Sequence, residues 1–380
     1  MGSELDKGRR AEESLRSYFR ELGYFVVRGV KIRVDGVDVT DVDLWLYNRV
    51  SPLTRERINV DIKNKKTPQA LERVFWAKGV QAVLGLDRCI VATTDRRREI
   101  TLFGQQHNVK VLDGAFLAKL AERPSAALLT DEALRAMSDK DRRSKAQASW
   151  FEMASDYSSN LALRLGYDGC NDLLRGVRFF VEQSLSNPIR QAEANRFLYL
   201  LISYFLISLD FAFSETAFQS IEERKAVLEE GLRYGRAGKT ETGRTFDLAV
   251  KLAGAVAPGA SASRMRKILD EMVSEYPVDI LAEHFSRPAV SNSLFTLAKD
   301  FNLLAFDTHL CQPAKLTNGL RSALFVFLDF LGIERRAFVG SASEDGLPPH
   351  STTDDRDARD AQVGLFEERE VHGGKLDPGR

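Results

Sequence analysis

Three short stretches of this 380-residue chain carry side chains that can do chemistry together: Asp41-Val42-Asp43, Asp61-Ile62-Lys63, and Glu12 upstream of both. In a β-strand, residues two apart share a face. Asp61 and Lys63 therefore project together while Val60 and Ile62 point into a core, and Asp41 and Asp43 share a face on the preceding strand. If the two strands form a hairpin, two carboxylates and one ammonium converge near one end of a sheet. Carboxylates held that close repel unless a cation lies between them, and all-oxygen ligation favours Mg²⁺, with Mn²⁺ as a substitute. Such an ion polarises a phosphate oxygen and lowers the pKa of a bound water, and the lysine adds positive charge beside the attacking water. This is machinery for metal-assisted phosphodiester hydrolysis.

The elements that must position these groups are readable from periodicity. Glu12 to Leu22 has Leu15, Phe19 and Leu22 on one stripe, with Arg16 and Arg20 on the other side, which predicts an amphipathic helix stopped by Gly23. Strand patterns follow at 24–30, 37–47 and 57–63. Thr67-Pro68 is a helix-start signal for a helix running to about Leu84. Further strands are expected at 88–93 and 109–112. The sum is a compact α/β unit over residues 1–120, with an α-β-β-β-α-β core and a mixed sheet flanked by helices. Residues 121–149 are expected to be a linker or bridging helices. Residues 150–340 read as an all-α C-terminal domain for recognition, assembly or regulation, with helices at 161–165, 189–213, 217–232, 263–275 and 320–332. The Asp, Gly, Pro and Ser composition of 341–380 predicts a disordered acidic tail.

The order of a helical Glu, an Asp, and then Asp-x-Lys resembles the PD-(D/E)XK nuclease superfamily, whose fold is called restriction-endonuclease-like. Lys7-Gly8-Arg9-Arg10-Ala11-Glu12, followed by Gly23-Tyr24-Phe25-Val26-Val27-Arg28, is similar to the opening of archaeal Holliday-junction resolvases and Mrr-type restriction enzymes. The resemblance spans residues 7–120. It implies that Asp43 and Asp61 are metal ligands, with the Ile62 carbonyl as a third. It further implies that Lys63 orients or activates the attacking water and that Glu12 completes the site through a metal-bound water or a second ion. Glu12 is preferred to Glu13 because it lies on the Leu15, Phe19 and Leu22 stripe. Val42 stands where the family name has proline. Asp41 either supports the site or is merely solvated. Lys65, Lys66, Gln69 and Arg73 either contact DNA phosphates or form a solvated helix start. Arg96-Arg97-Arg98 reads as a strand-connecting turn, with DNA contact as the lesser alternative.

Composition bounds the rest. The chain has 54 Lys+Arg against 54 Asp+Glu, yet 22 basic and 16 acidic residues fall in 1–120, while 5 and 10 fall in 341–380. A polyanion site therefore belongs to the first third. The start of the chain carries no signal-peptide pattern. The apolar run 197–209 is shorter than the ~20 residues of a membrane span. Three scattered cysteines and five histidines without ligand spacing suit a reducing cytoplasm and argue against zinc. Gly238-Lys239-Thr240 lacks the earlier glycine of a phosphate loop, because position 233 is Arg. The aromatic runs at 197–213 and 325–330 are expected to be core helices, with a dimerisation surface as the lesser alternative. The expected activity is a Mg²⁺-dependent endonuclease acting on DNA, such as a prokaryotic restriction or anti-phage effector. Two other readings stay open: a nuclease-fold binding subunit of a larger defence assembly, and a structure-selective repair or junction nuclease.

Overall fold

A computed structural model describes residues 4–34, 37–65, 69–123, 128–140, 149–256 and 261–340. The expected tail at 341–380, Lys66 and the Thr67-Pro68 helix start lie outside the described residues. The helix α1 (Glu4–Glu21) leads into strands β1 (Phe25–Val34), β2 (Val37–Arg49) and β3 (Arg55–Lys63). Helix α2 (Ala70–Val83) precedes β4 (Arg88–Thr93), and α3 (Arg98–Gln106) precedes β5 (Val109–Leu112) and α4 (Gly114–Ala121). The five strands form one mixed sheet in sequence order. β1, β2 and β3 are antiparallel to one another, and β3, β4 and β5 are parallel.

Alternation along the strands sorts the side chains onto two faces. Leu44, Leu46, Ile58, Val60 and Ile62 face α1, where Leu15 and Phe19 close a core with Ala92 and Leu112. On the opposite face, Cys89, Val91, Val109 and Val111 pack under Ala70, Val74, Ala77 and Ile100 of α2 and α3. Phe25, Val27, Trp45 and Tyr47 share that second face nearer β1, and their neighbours are helical.

The rest of the described chain is helical. It comprises α5 (Asp131–Lys140), α6 (Trp150–Leu163), α7 (Tyr167–Ser186), α8 (Gln191–Phe213), α9 (Ile221–Tyr234), α10 (Gly238–Val256), α11 (Ala262–Ser274), α12 (Val278–Phe285), α13 (Pro288–Phe306), α14 (Asn318–Phe330) and α15 (Arg335–Val339). With flanking 3-10 turns, the helix at Pro188–Thr216 is 29 residues long, so it passes the membrane-span length that its apolar run alone does not. Its most apolar window is 89% buried, because α7 and α13 pack along it as a core helix. Residues up to Gly340 form one compact unit, and the β1–β2 face shares one hydrophobic core with these helices. The change near residue 120 is thus a change of secondary-structure class within a continuous core.

Buried charges seal that junction. Asp210 on α8 is fully buried and accepts from Tyr47 Oη at 2.6 Å while pairing with Arg55 Nε at 2.6 Å and Arg49 Nη1 at 3.2 Å. Arg16, expected on a polar helix face, is only 1% exposed. Its guanidinium stacks 3.9 Å above the Phe306 ring and pairs with Asp131 at 3.2 Å, while Arg20 reaches Asn302 at 2.9 Å. That face of α1 meets the helical layer, so its arginines are sorted by aromatic and carboxylate partners instead of water. Removing one partner of a buried pair leaves the other charge uncompensated. Asp210→Ala is expected to lose about 3–5 kcal/mol of stability, read by denaturant unfolding. A loss under about 1 kcal/mol contradicts this anchoring role.

Candidate active site

The candidate site sits where β2 and β3 part. Their ladder runs from Arg49↔Arg55 to Leu44↔Val60 and stops there. β3 continues with β4 alone, pairing Asp61↔Val91, Ile62↔Ala92 and Lys63↔Thr93, while β2 continues with β1, pairing Val42↔Val30 and Asp41↔Lys31. Asp43 stands one residue beyond the fork. Its Oδ2 accepts the Ile62 backbone N–H at 2.6 Å, so a side chain replaces the lost ladder acceptor. On β1, Gly29 lies between the partners of Leu44 and Val42 and has a φ of 63°, a left-handed bend that glycine adopts without a Cβ penalty.

Asp61 is 7% exposed and projects toward α2. Arg73 of α2 grips it with both arms: Nε lies 2.6 Å from Oδ2, and Nη2 contacts Oδ1. The Arg73 guanidinium also lies 5.6 Å from the Trp76 ring. Lys63, two residues on, shares the Asp61 face and is half-buried, and among the described residues its ammonium has no hydrogen-bond or ion-pair partner. Val60 and Ile62 are buried against α1, as the alternation predicts.

Glu12 comes from the other side of the sheet. Arg28, opposite Leu44, donates from Nε to Glu12 Oε2 at 2.6 Å and from Nη1 to Glu13 Oε1 at 2.9 Å. Its Nη2 reaches Glu132 at 2.7 Å. Burial opposes the charge on Arg28, but the surrounding carboxylates outweigh it and hold the group as a cation, pulling Glu132 down to about 2. Glu12 is therefore spent on a structural ion-pair network, although its charge still bears on Asp43. Asp41 is exposed. Of the expected phosphate contacts, Lys65 is exposed and its backbone carbonyl accepts from Thr94 Oγ1 at 2.5 Å. Gln69 is exposed, with a φ of 47°, and directly precedes α2. Arg73 is turned inward onto Asp61. Arg28 closes the family-like opening and Arg73 is an expected phosphate contact, but neither reading assigns them to carboxylates. Only the sheet geometry brings them to the carboxylates.

Burial pushes the Asp43 carboxyl up to about 6, with the charges of Glu12 and Asp41 adding to the rise, against the Ile62 hydrogen bond and Arg73. The donor chemistry at the fork is hard oxygen, two carboxylates, which suits a divalent ion that keeps several waters. Among the described residues, no group of three or more His, Cys, Asp or Glu side chains is placed to hold a metal. A cation at Asp61 would share or displace the Arg73 contact. No family model, no protein of curated function and no solved structure matches the chain.

Because its folded-state pKa lies above its ordinary value of 3.8, Asp43 stabilises the fold below that value and loses this contribution as pH rises through about 6. Asp43→Asn retains an oxygen to accept from Ile62 N. It is expected to raise stability at pH 8 by roughly 1–2 kcal/mol in chelator, with the gain vanishing near pH 4. Thermal unfolding across pH measures this, and a variant less stable than wild type at pH 8 contradicts the buried-charge reading.

Proposed function

We propose that the chain is a divalent-metal-dependent endonuclease that hydrolyses DNA phosphodiester bonds. The observation that carries this reading is the placement of Asp43, Asp61 and Lys63 around one strand fork, with Asp43 bonded to the Ile62 N–H and Asp61 held by Arg73. It agrees with the resemblance to PD-(D/E)XK nucleases over residues 7–120. Asp43 and Asp61 would hold Mg²⁺ or Mn²⁺, with the Ile62 carbonyl as a further donor. Bound there, the ion supplies Lewis-acid polarisation of the phosphate. The chain's own contributions are a Lys63 ammonium to orient water and offset phosphate charge, and carboxylates anchored by the ladder and by α2. In the reaction a water oxygen bonds to phosphorus as one P–O ester bond breaks, and a water proton ends on the leaving hydroxyl. The basic balance of residues 1–120 draws a polyanion toward this end of the molecule. The biological setting that fits is a cytoplasmic restriction or anti-phage effector in a prokaryote, alone, as a homo-oligomer or beside a partner subunit.

The Arg73 grip on Asp61 favours a second reading. A guanidinium already neutralises this carboxylate, so the same fold would act as a binding subunit of an assembly, or as a nuclease that cleaves only when a partner or substrate withdraws Arg73. A junction or repair nuclease would share the chemistry and differ in substrate shape.

Incubation of supercoiled plasmid with Mg²⁺ or Mn²⁺ tests the main reading. Wild type should nick or linearise it, and Asp61→Ala and Lys63→Ala should slow cleavage about 100-fold or more. The wild-type rate should fall in acid, where protons compete with the ion for the Asp43 carboxylate. Equal cleavage by all three proteins would remove the site assignment, and an intact plasmid with every protein would favour the binding subunit.

A further inference from the structure

A second feature lies at the same end of the sheet, on its α1 side. A cleft of about 370 Å³ opens between α1 and α4, above the carboxyl ends of β3 and β4. Leu117 and Leu120 give it an apolar floor, and Arg10, Ser14 and Arg96 stand on its polar rim. Asn64, the residue after Lys63, is part of its lining, so the cleft adjoins the strand end that carries the candidate active site. The first residue of α4 must be glycine here: a Cβ on Gly114 would sit 2.2 Å from the Thr94 carbonyl oxygen and 2.9 Å from Arg96 Cγ. The close approach of backbone to backbone leaves the Arg96 stem against the mouth of the cleft.

Each of the two rim arginines differs from an arginine next to it. Arg9 pairs with Glu132 at 3.5 Å and Arg97 with Asp95 at 2.7 Å. Arg10 and Arg96 are exposed and have no ion-pair partner among the described residues. Two uncompensated guanidinium groups over an aliphatic floor match one amphipathic ligand chemistry: an anionic phosphate on the rim and an apolar sugar or base face beneath it. In parallel α/β sheets, ligands bind outside the carboxyl ends of the strands.

We propose that this cleft holds a nucleotide unit of the DNA strand, its phosphate taken by Arg10 and Arg96, beside the phosphate presented to Lys63. The proposal rests on the nucleic-acid reading above and does not need cleavage. It moves DNA contact from Arg73, which is engaged with Asp61, to two arginines on the α1 side of the sheet.

Anisotropy of a labelled DNA duplex with the full chain, in chelator and over a series of salt concentrations, tests it. Arg10→Ala/Arg96→Ala should flatten the dependence of log K on log salt by about 2 units, one per phosphate-binding side chain. Ala118→Glu, at an exposed position lining the cleft, should weaken binding in the same direction with thermal unfolding unchanged. The control pair Arg264→Ala/Arg336→Ala, on exposed faces of α11 and α15, should leave the slope alone. Tight wild-type binding with an unchanged slope in the cleft variants would overturn the cleft and leave the DNA reading standing. An equal loss in the control pair would reduce the effect to general charge and also overturn it. Absence of wild-type binding at low salt would remove the DNA reading and the cleft with it.

Discussion

The parting of β2 from β3 at Leu44 and Val60 is the constraint on which the site depends. On one side of that point β2 is held by two neighbours, with Leu46 opposite both Val26 and Ile58. On the other it follows β1 alone. A backbone N–H that leaves a ladder must find another acceptor, and the Asp43 carboxylate is that acceptor. The same strand anchors the opposite end through Tyr47 and Arg49, both bonded to the buried Asp210. β2 is thus tied by carboxylates at its middle and at its C-terminal end, one its own and one from α8.

Charge is managed in layers around this strand. Arg28 gathers Glu12, Glu13, Asp131 and Glu132 on the α1 side, joining α1, β1 and α5 into one network. Arg73 neutralises Asp61 on the α2 side. Asp43 lies between the two groups, and among the described residues only the Ile62 backbone N–H is bonded to it, so burial and like charges lift its pKa. A site that binds a divalent ion must be able to give up one of these internal cations. Arg73 is the one that contacts a candidate ligand, and Gln69, just ahead of its helix, already holds a left-handed backbone conformation that a non-glycine residue rarely adopts.

Much of this was legible in the chain. Short runs of apolar and β-branched residues gave β4 at 88–93 and β5 at 109–112 as observed, because most of their side chains are buried and only Arg88 and Lys110 are exposed. The Asp43, Asp61 and Lys63 spacing told which residues share a face, since that follows from a period of two. What the chain did not reveal was where long side chains end. Arg16 and Arg20 look like a solvent stripe until Phe306, Asp131 and Asn302 arrive from more than a hundred residues away. Glu12 lies on the apolar stripe as read, yet its carboxylate goes to Arg28, a destination set by the β1–β2 register. Helix α7 at Tyr167–Ser186 was missed because Gly169 and Gly176 interrupt its pattern; both are small where Arg164, Tyr157 and Leu201 approach closely. The single core shared by the β1–β2 face and α8 is likewise a property of packing and leaves no periodicity of its own.

In the proposed divalent-cation site of Asp43 and Asp61, Arg73 is the internal competitor of the ion. Calorimetric titration of Mn²⁺ into wild type, Asp61→Asn and Arg73→Leu tests it most directly. Wild type should bind saturably, Asp61→Asn should lose binding, and Arg73→Leu should bind more tightly. Mn²⁺ binding that is absent in all three proteins, or unchanged by the loss of Asp61, would contradict it.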